Sequence, residues 1–504
     1  MRPCLPVLLG LCLACGPGSP GETDSGSASG DGPGSDATQG PTTSGETTGA
    51  PTSTTDSPGT TDAPGTTPVP TTGTPAGTCP DILAADLDAR VRDALGVPAG
   101  PIATDLAQTL TAIEAWDVDT LAGIECFTGL QTLRLNNATV EDLGPLSGLT
   151  ALQTFEVPFS DSIIDLGPLS GLPNLHTLDV RGNPIGSFAP LVGVPLVTLL
   201  ASDTPPGALP GLGEVTTLEV LHLWNCQLDD LGELASLVGL TELGLGDNAI
   251  TDLSPLAGLT ALTDLELRHN QIADLSPLAG MTGLARLSLS GNQIADITPL
   301  AGMTAMQELF LDLNNIAAVT PLADMTALRI LYIHGNEIVD VAPLALPNLE
   351  ILKIDDNQIV DIGPLGAAAK LDALVISRNP LTLGLDAFAD HTALHGLEAH
   401  MTGLQTVPLF APASLERLVL SGNAIVDLQP LAAYQKLDSV VLVDNAITTL
   451  APLVDAPWLG ECDLLDVTDN PLDAQTLGQI IPDICADGVV VGATGFDGCG
   501  ICMD

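Results

Sequence analysis

The sequence predicts an α/β solenoid: a curved stack of short parallel strands forming a concave sheet, with brief turns and 3₁₀ segments on the convex side. Three observations carry this. From about residue 129 the chain repeats itself every 22 residues, with single-residue slips. Of its 504 residues 45% are apolar but only 3% aromatic, so the core is aliphatic, which suits flat stacked layers better than one globular centre. Within each repeat, leucines alternate as L-x-L, the pattern of a strand with one buried face.

The first element is a targeting segment. Residues 1–14, within MRPCLPVLLGLCLAC, carry one Arg and then an apolar run too short to span a bilayer, and they read as a signal peptide. Cleavage after Ala14 leaves Cys15 at the new N-terminus. This resembles the lipobox of bacterial lipoproteins, and the resemblance implies a lipid on Cys15; free secretion is the alternative. Residues 15–78 are almost wholly Gly, Ser, Thr, Pro and acidic residues. Such a segment buries too little apolar surface to offset the cost of ordering, and it reads as a disordered linker.

Residues 79–128 follow as an N-terminal cap. An open solenoid end exposes core leucines and must be covered. Asp86 opens a helical pattern with Leu87, Val91 and Leu95, which Gly96 stops. Thr104 begins a second short helix carrying Leu106 and Leu110.

The repeats occupy residues 129–470. One clean copy, LTELGLGDNAITDLSPLAGLTA, places Leu240, Leu243, Leu245, Asn248, Ile250, Leu253, Leu256 and Leu259 at recurring positions. The Asn slot continues as Asn183, Asn270, Asn292, Asn314, Asn336, Asn357, Asn379, Asn423, Asn445 and Asn470, with Ala138, Ser160, Thr204, Cys226 and Thr402 in degenerate copies, which makes sixteen in all. Inward leucines stack on their counterparts, each burial stabilising by roughly 1.5–3 kcal/mol. A buried Asn is tolerated because its amide satisfies backbone groups of a turning loop. Asp252, Asp274, Asp296, Asp340, Asp361 and Asp427 precede a Leu-x-Pro-Leu turn and read as caps of short convex 3₁₀ segments.

The pattern LxxLxLxxNxI is that of leucine-rich repeats. Its length and its I-x-D-L-x-P-L ending resemble the internalin-type class over roughly residues 80–490. The resemblance implies a helical cap before the first repeat and a surface-displayed protein that recognises or adheres to a protein or glycan through its concave face. It names no partner, and a monomer is expected. The immunoglobulin-like module and wall anchor usual in internalins are not visible, so the N-terminal lipid is the membrane attachment expected.

Residues 471–504 form the C-terminal cap, reading as a helix, an apolar strand from Gly488 to Val491 and a Cys-bearing end. In a secreted chain, cysteines confined to two caps read as disulfide staples. Cys79 and Cys126 make the N-terminal pair. Cys462, Cys485, Cys499 and Cys502 allow three connectivities, of which Cys462–Cys485 with Cys499–Cys502 is preferred over zinc at CGIC, which lacks a second close-spaced pair. Cys226 fills an Asn slot and reads as a small buried thiol.

Charge narrows function. Thirteen Lys and Arg against 62 Asp and Glu, a net charge of −49, exclude general nucleic-acid binding and disfavour docking on anionic membranes. HExxH, GxSxG and phosphate-cradling lysine motifs are absent, so no enzyme, cofactor or metal is expected. The acidic series lacks a DxDxDG loop. Outward positions of LxxLxLxxN, the third, fifth, seventh and eighth, carry seven of the thirteen Lys and Arg and four of the seven His. The expected ligand face centres on His222, Trp224, Arg268, His269, Phe310, Tyr332, His334 and Lys353, whose residue types favour binding hot spots. The competing reading is a passive envelope spacer or weak calcium binder.

Overall fold

The computed structural model describes residues 77–82, 84–204, 209–496 and 499. The segments read above as signal peptide and linker, through residue 76, lie outside them, as do Cys15 and Cys502.

The N-terminal cap begins with α1 (Ala85–Leu95), acidic in its first turn through Asp86 and Asp88 and basic in its last through Arg92, as the helix dipole favours. Gly96 ends it at φ 67°, a left-handed conformation open to glycine, and Val97 N–H closes on Arg92 O. Leu87 and Val91 are its buried face. The second helix, α2 (Thr104–Ala107), is a single turn. Sequence reasoning placed only helices in this cap; the structure adds β1 (Ala112–Trp116), with Ile113 and Ala115 pointing inward. The free edge of β1 is met by α1, where the Asp86 carboxylate accepts the Trp116 N–H at 2.8 Å. Cys79 and Cys126 are disulfide-bonded, with Cα atoms 5.8 Å apart.

One parallel sheet of eighteen strands runs through the rest. Sixteen of them, β2 (Thr132–Asn136) to β17 (Leu464–Asp466), each lead into one of the sixteen slots, while β1 and β18 (Val490–Gly492) extend the sheet from the caps. Register is strict: Leu243, Leu265, Leu287, Leu309, Leu331, Leu352 and Leu374 stand side by side, and all are buried. On the opposite side most repeats make a short 3₁₀ turn such as Ser254–Leu256, in most cases with proline near the start, where a missing N–H costs no helical bond. The Asp252, Asp274 and Asp296 carboxylates each accept the N–H two residues on, at 2.8 Å.

The Asn slot is a ladder between repeats. Asn270 Nδ2 donates to Leu245 O of the preceding repeat and to Leu267 O of its own, both at 3.0 Å, while Oδ1 accepts the Ile250 N–H at 3.0 Å. Asn292, Asn314, Asn336, Asn357 and Asn379 repeat the arrangement. Three of the departures follow from the repeat before. After Asn183-Pro184, Ile185 N–H bonds back to Asn183 O at 2.8 Å, so the next slot, Thr204, needs no acceptor. Asn379-Pro380 likewise turns Leu381 N–H onto Asn379 O at 2.9 Å ahead of Thr402. Ahead of Cys226 the corresponding residue is Pro206, which has no N–H at all. Each substitute keeps only the donor function: Thr204 Oγ1 and Cys226 Sγ both donate to Ala201 O, at 2.6 and 3.4 Å.

The C-terminal cap corrects the preferred disulfide pairing. Cys485 in α3 (Ile481–Ala486) bonds to Cys499, with Cα atoms 5.7 Å apart, so neither Cys462–Cys485 nor Cys499–Cys502 forms. After β18 the chain doubles back, and Val491 N–H meets Cys499 O at 3.3 Å in an antiparallel bridge. This return sets Cys499 beside α3 and covers the last strand edge. Cys462 is itself disulfide-bonded.

Candidate binding face

The outward face of the sheet is held together by cross-strand contacts between side chains 22 or so residues apart. Strand β6 (Val220–His222) leads to Trp224, whose indole stacks with the His222 imidazole at 5.3 Å and an interplanar angle of 14°. The next strand, β7 (Glu242–Gly244), leaves room for it, since a Cβ on Gly244 would lie 2.1 Å from Trp224 Nε1. Arg268, which follows β8 (Asp264–Glu266), crosses Gly246 and sets its guanidinium 5.2 Å from the indole centroid. Carboxylates fix both flanks: Glu242 lies 2.8 Å from His222 Nε2, and Asp247 lies 3.3 Å from Arg268 and 2.8 Å from His269.

A second cluster begins on β9 (Arg286–Ser288). Arg286 sits among Asp264 at 3.2 Å, Glu308 at 3.4 Å and Glu266 at 3.7 Å, with its guanidinium 5.2 Å from the Phe310 centroid. Phe310, on β10 (Glu308–Phe310), meets Tyr332 of β11 (Ile330–Tyr332) edge to face at 5.1 Å. Lys353, on β12 (Ile351–Lys353), places its ammonium 4.4 Å from the Tyr332 centroid. His334 lies 3.7 Å from Asp312, which also accepts the Ser290 hydroxyl at 2.6 Å.

Thus the eight residues singled out in the sequence share one face but form two clusters, not one pocket. Arg286 and Glu266 join them, because Glu266 also accepts the Arg268 N–H at 3.1 Å. Sequence reasoning missed the carboxylates and the Gly244 and Gly246 pair. The signals were present: Asp264 and Arg286 differ by one repeat length, and LGLGD is the repeat with no side chain at two outward positions. Fifteen carboxylates share the four outward columns with the seven Lys and Arg, so the face is acidic despite its concentration of cations. Beyond the two clusters the same pairing recurs, as in Arg134–Glu156 at 2.7 Å and Arg417–Glu398 at 3.0 Å.

At the exit edge of the face the eighth position is left-handed in many repeats, a conformation natural to Gly, Asn and Asp. Phe159, His269, Leu313 and Met401 nevertheless occupy it at φ 55°, 50°, 56° and 54°. Each lies over a glycine in the following repeat, Gly182, Gly291, Gly335 and Gly422 in turn, where an added Cβ would fall within 2.8 Å of it.

Burial perturbs two groups near the clusters. Burial pushes the Cys226 thiol up to about 11, consistent with a structural role rather than a reactive one. Burial also raises the Asp355 carboxyl above its usual range, with His334 opposing. Among the described residues, no three His, Cys, Asp or Glu side chains are grouped to hold a metal ion.

Comparison with known proteins completes the description. A two-copy leucine-rich-repeat family model matches residues 216–258, 239–280, 260–302 and 326–367, and a single-repeat model matches 171–187. A search of curated proteins finds no match. An internalin from Listeria monocytogenes is 28% identical with a TM-score of 0.54, over 71% of this chain and 94% of that one. A leucine-rich-repeat protein of Leptospira interrogans gives a TM-score of 0.62 at 19% identity, over 77% and 97%. The ectodomain of a receptor kinase from Arabidopsis thaliana, solved in complex with a Casparian strip integrity factor, gives 0.55 at 20% identity, over 74% and 52%. At those identities the last two show fold alone. The repeats, the single parallel sheet and the 3₁₀ turns make this chain a leucine-rich-repeat solenoid, similar in build to the internalins.

Proposed function

We propose that this chain is a protein-recognition module displayed at the cell surface, held by a lipid on Cys15 and lifted from the membrane by the linker through residue 78. It binds through the outward sheet face from His222 and Trp224 to Lys353. The observation that carries this reading is the pair of aromatic–cation clusters, which holds flexible Arg and Lys side chains in place before any partner arrives. Such pre-organisation lowers the ordering cost of binding, and Trp, Tyr and Arg are the side chains that dominate interfaces. A protein partner fits better than a glycan. Sugars stack on open ring faces, whereas Trp224 is already engaged by His222 and Arg268, and Tyr332 by Phe310 and Lys353. Disulfides in both caps fit an oxidising, extracellular setting. No described helix is long and apolar enough to cross a membrane.

The test is capture from envelope and culture extracts by the purified chain and by a Trp224→Ala, Phe310→Ala, Tyr332→Ala variant shown to fold by circular dichroism. A partner held by the first and lost by the second supports the face as the site. Equal capture moves the site elsewhere, and no capture by either favours a passive spacer. Palmitate labelling checks the anchor, with label expected on the native chain and lost in Cys15→Ser; an unlabelled native chain overturns it.

A further inference from the structure

We infer that the partner presents a cationic, Lys- or Arg-rich segment to the face between Trp224 and Lys353, an inference that rests on the recognition role proposed above. The seven repeats from Leu218 to Asn357 carry eight outward carboxylates and only three outward Lys or Arg residues. All three cations are committed within the chain. Arg268 lies between Asp247 and the Trp224 indole, and Arg286 among three carboxylates. Lys353 sits over Tyr332. None is held free for an anionic partner.

The negative charge is less fully answered. Among the described residues Asp355 makes no ion pair within 4.0 Å, and the basic group paired with Asp312 is His334 Nε2, at 3.7 Å. The Asp312 side chain is 14% exposed and that of Glu266 9%, so these charges lie low on the sheet. Carboxylates set beside low-dielectric walls focus their field outward and attract opposite charge more strongly than the same groups on an open surface. The unmet demand of this face is therefore for cations placed between the aromatic clusters. The chain's overall charge of −49 attracts any basic molecule diffusely, so the test separates the face from that background.

The probe is a fluorescent nine-residue peptide alternating Arg with Gly and Ser, compared with its Glu counterpart, measured by anisotropy at physiological salt. Three forms of the full chain are used: native, a face variant (Glu308→Gln, Asp312→Asn, Asp355→Asn) and a turn variant (Asp252→Asn, Asp274→Asn, Asp296→Asn). Both variants remove three negative charges, and circular dichroism checks that each folds. The Arg peptide is expected to bind native chain, to weaken at least tenfold on the face variant, and to change less than twofold on the turn variant. Equal weakening by both variants, or no preference over the Glu peptide, overturns the inference. If the Arg peptide fails while the aromatic triple variant still loses its captured partner, the charge preference falls and the recognition role stands.

Discussion

The run of repeats from Asn248 to Asn379 and the run from Ala138 to Cys226 are built on the same frame but sealed differently. In the first, every slot is Asn, and each amide ties its own repeat to the one before through a donated and an accepted bond. In the second, the slot passes through Ala, Ser, Asn, Thr and Cys. At Thr204, Cys226 and Thr402 the Asn has not been lost at random. Its amide oxygen is needed where the preceding repeat presents an unsatisfied N–H, and proline immediately ahead of, or at, that N–H removes the need. Degeneracy at these three slots is thus dictated one repeat upstream, by Pro184, Pro206 and Pro380, whereas Ala138 and Ser160 follow no such proline.

The sharpest break of this comparison is Asn292→Ala against Cys226→Ala. The first strands the Ile272 N–H and the Leu267 and Leu289 carbonyls and is expected to cost about 3 kcal/mol. The second loses a weak S–H donor and a small volume, about 1 kcal/mol. Urea midpoints of the two variants decide it, and equal losses would refute the ladder as the source of the difference. A smaller effect of opposite sign is expected from Leu313→Gly, which relieves a left-handed backbone at an exposed side chain and stabilises by about 1 kcal/mol. Destabilisation instead would mean that the Leu313 contact over Gly335 outweighs the strain.

The smallest effect is in acid. The Ser254, Ser276 and Thr298 hydroxyls and N–H groups hold the Asp252, Asp274 and Asp296 carboxyls below their usual range. A depressed folded value favours the charged form, so the contribution is present above the unfolded carboxylate range and is lost as pH falls through the folded value. Between pH 5 and 3 the thermal midpoint of the native chain should therefore fall more steeply than that of Asp252→Asn, Asp274→Asn, Asp296→Asn. Parallel curves would count against these caps.

What was legible in the sequence follows from periodicity. Leucine spacing, the Asn slot and the Asp turn caps recur often enough to be read without any contact in view, and the structure places them as expected. β1 was not legible, because AIEAW offers two alternations and takes its register from Thr132–Asn136 beside it. The Cys485–Cys499 pairing depends on where the chain turns after β18, which no spacing records. On the face, residue types were readable but their relations were not. Trp224 was readable as a hot-spot residue type; that Gly244 leaves room for its ring and Arg268 sets a guanidinium against it was not.

The amide ladder also has a direction. Each Asn reaches back to close the repeat before it, so a repeat that has just left the ribosome keeps an open N–H until its successor arrives. Growth of the stack during synthesis is then a ratchet: every added turn locks its predecessor, and the newest turn is always the loosest. Shortening the chain from its C-terminus strips the lock from the last surviving repeat. Shortening it from the N-terminus leaves every later lock in place and only idles the first.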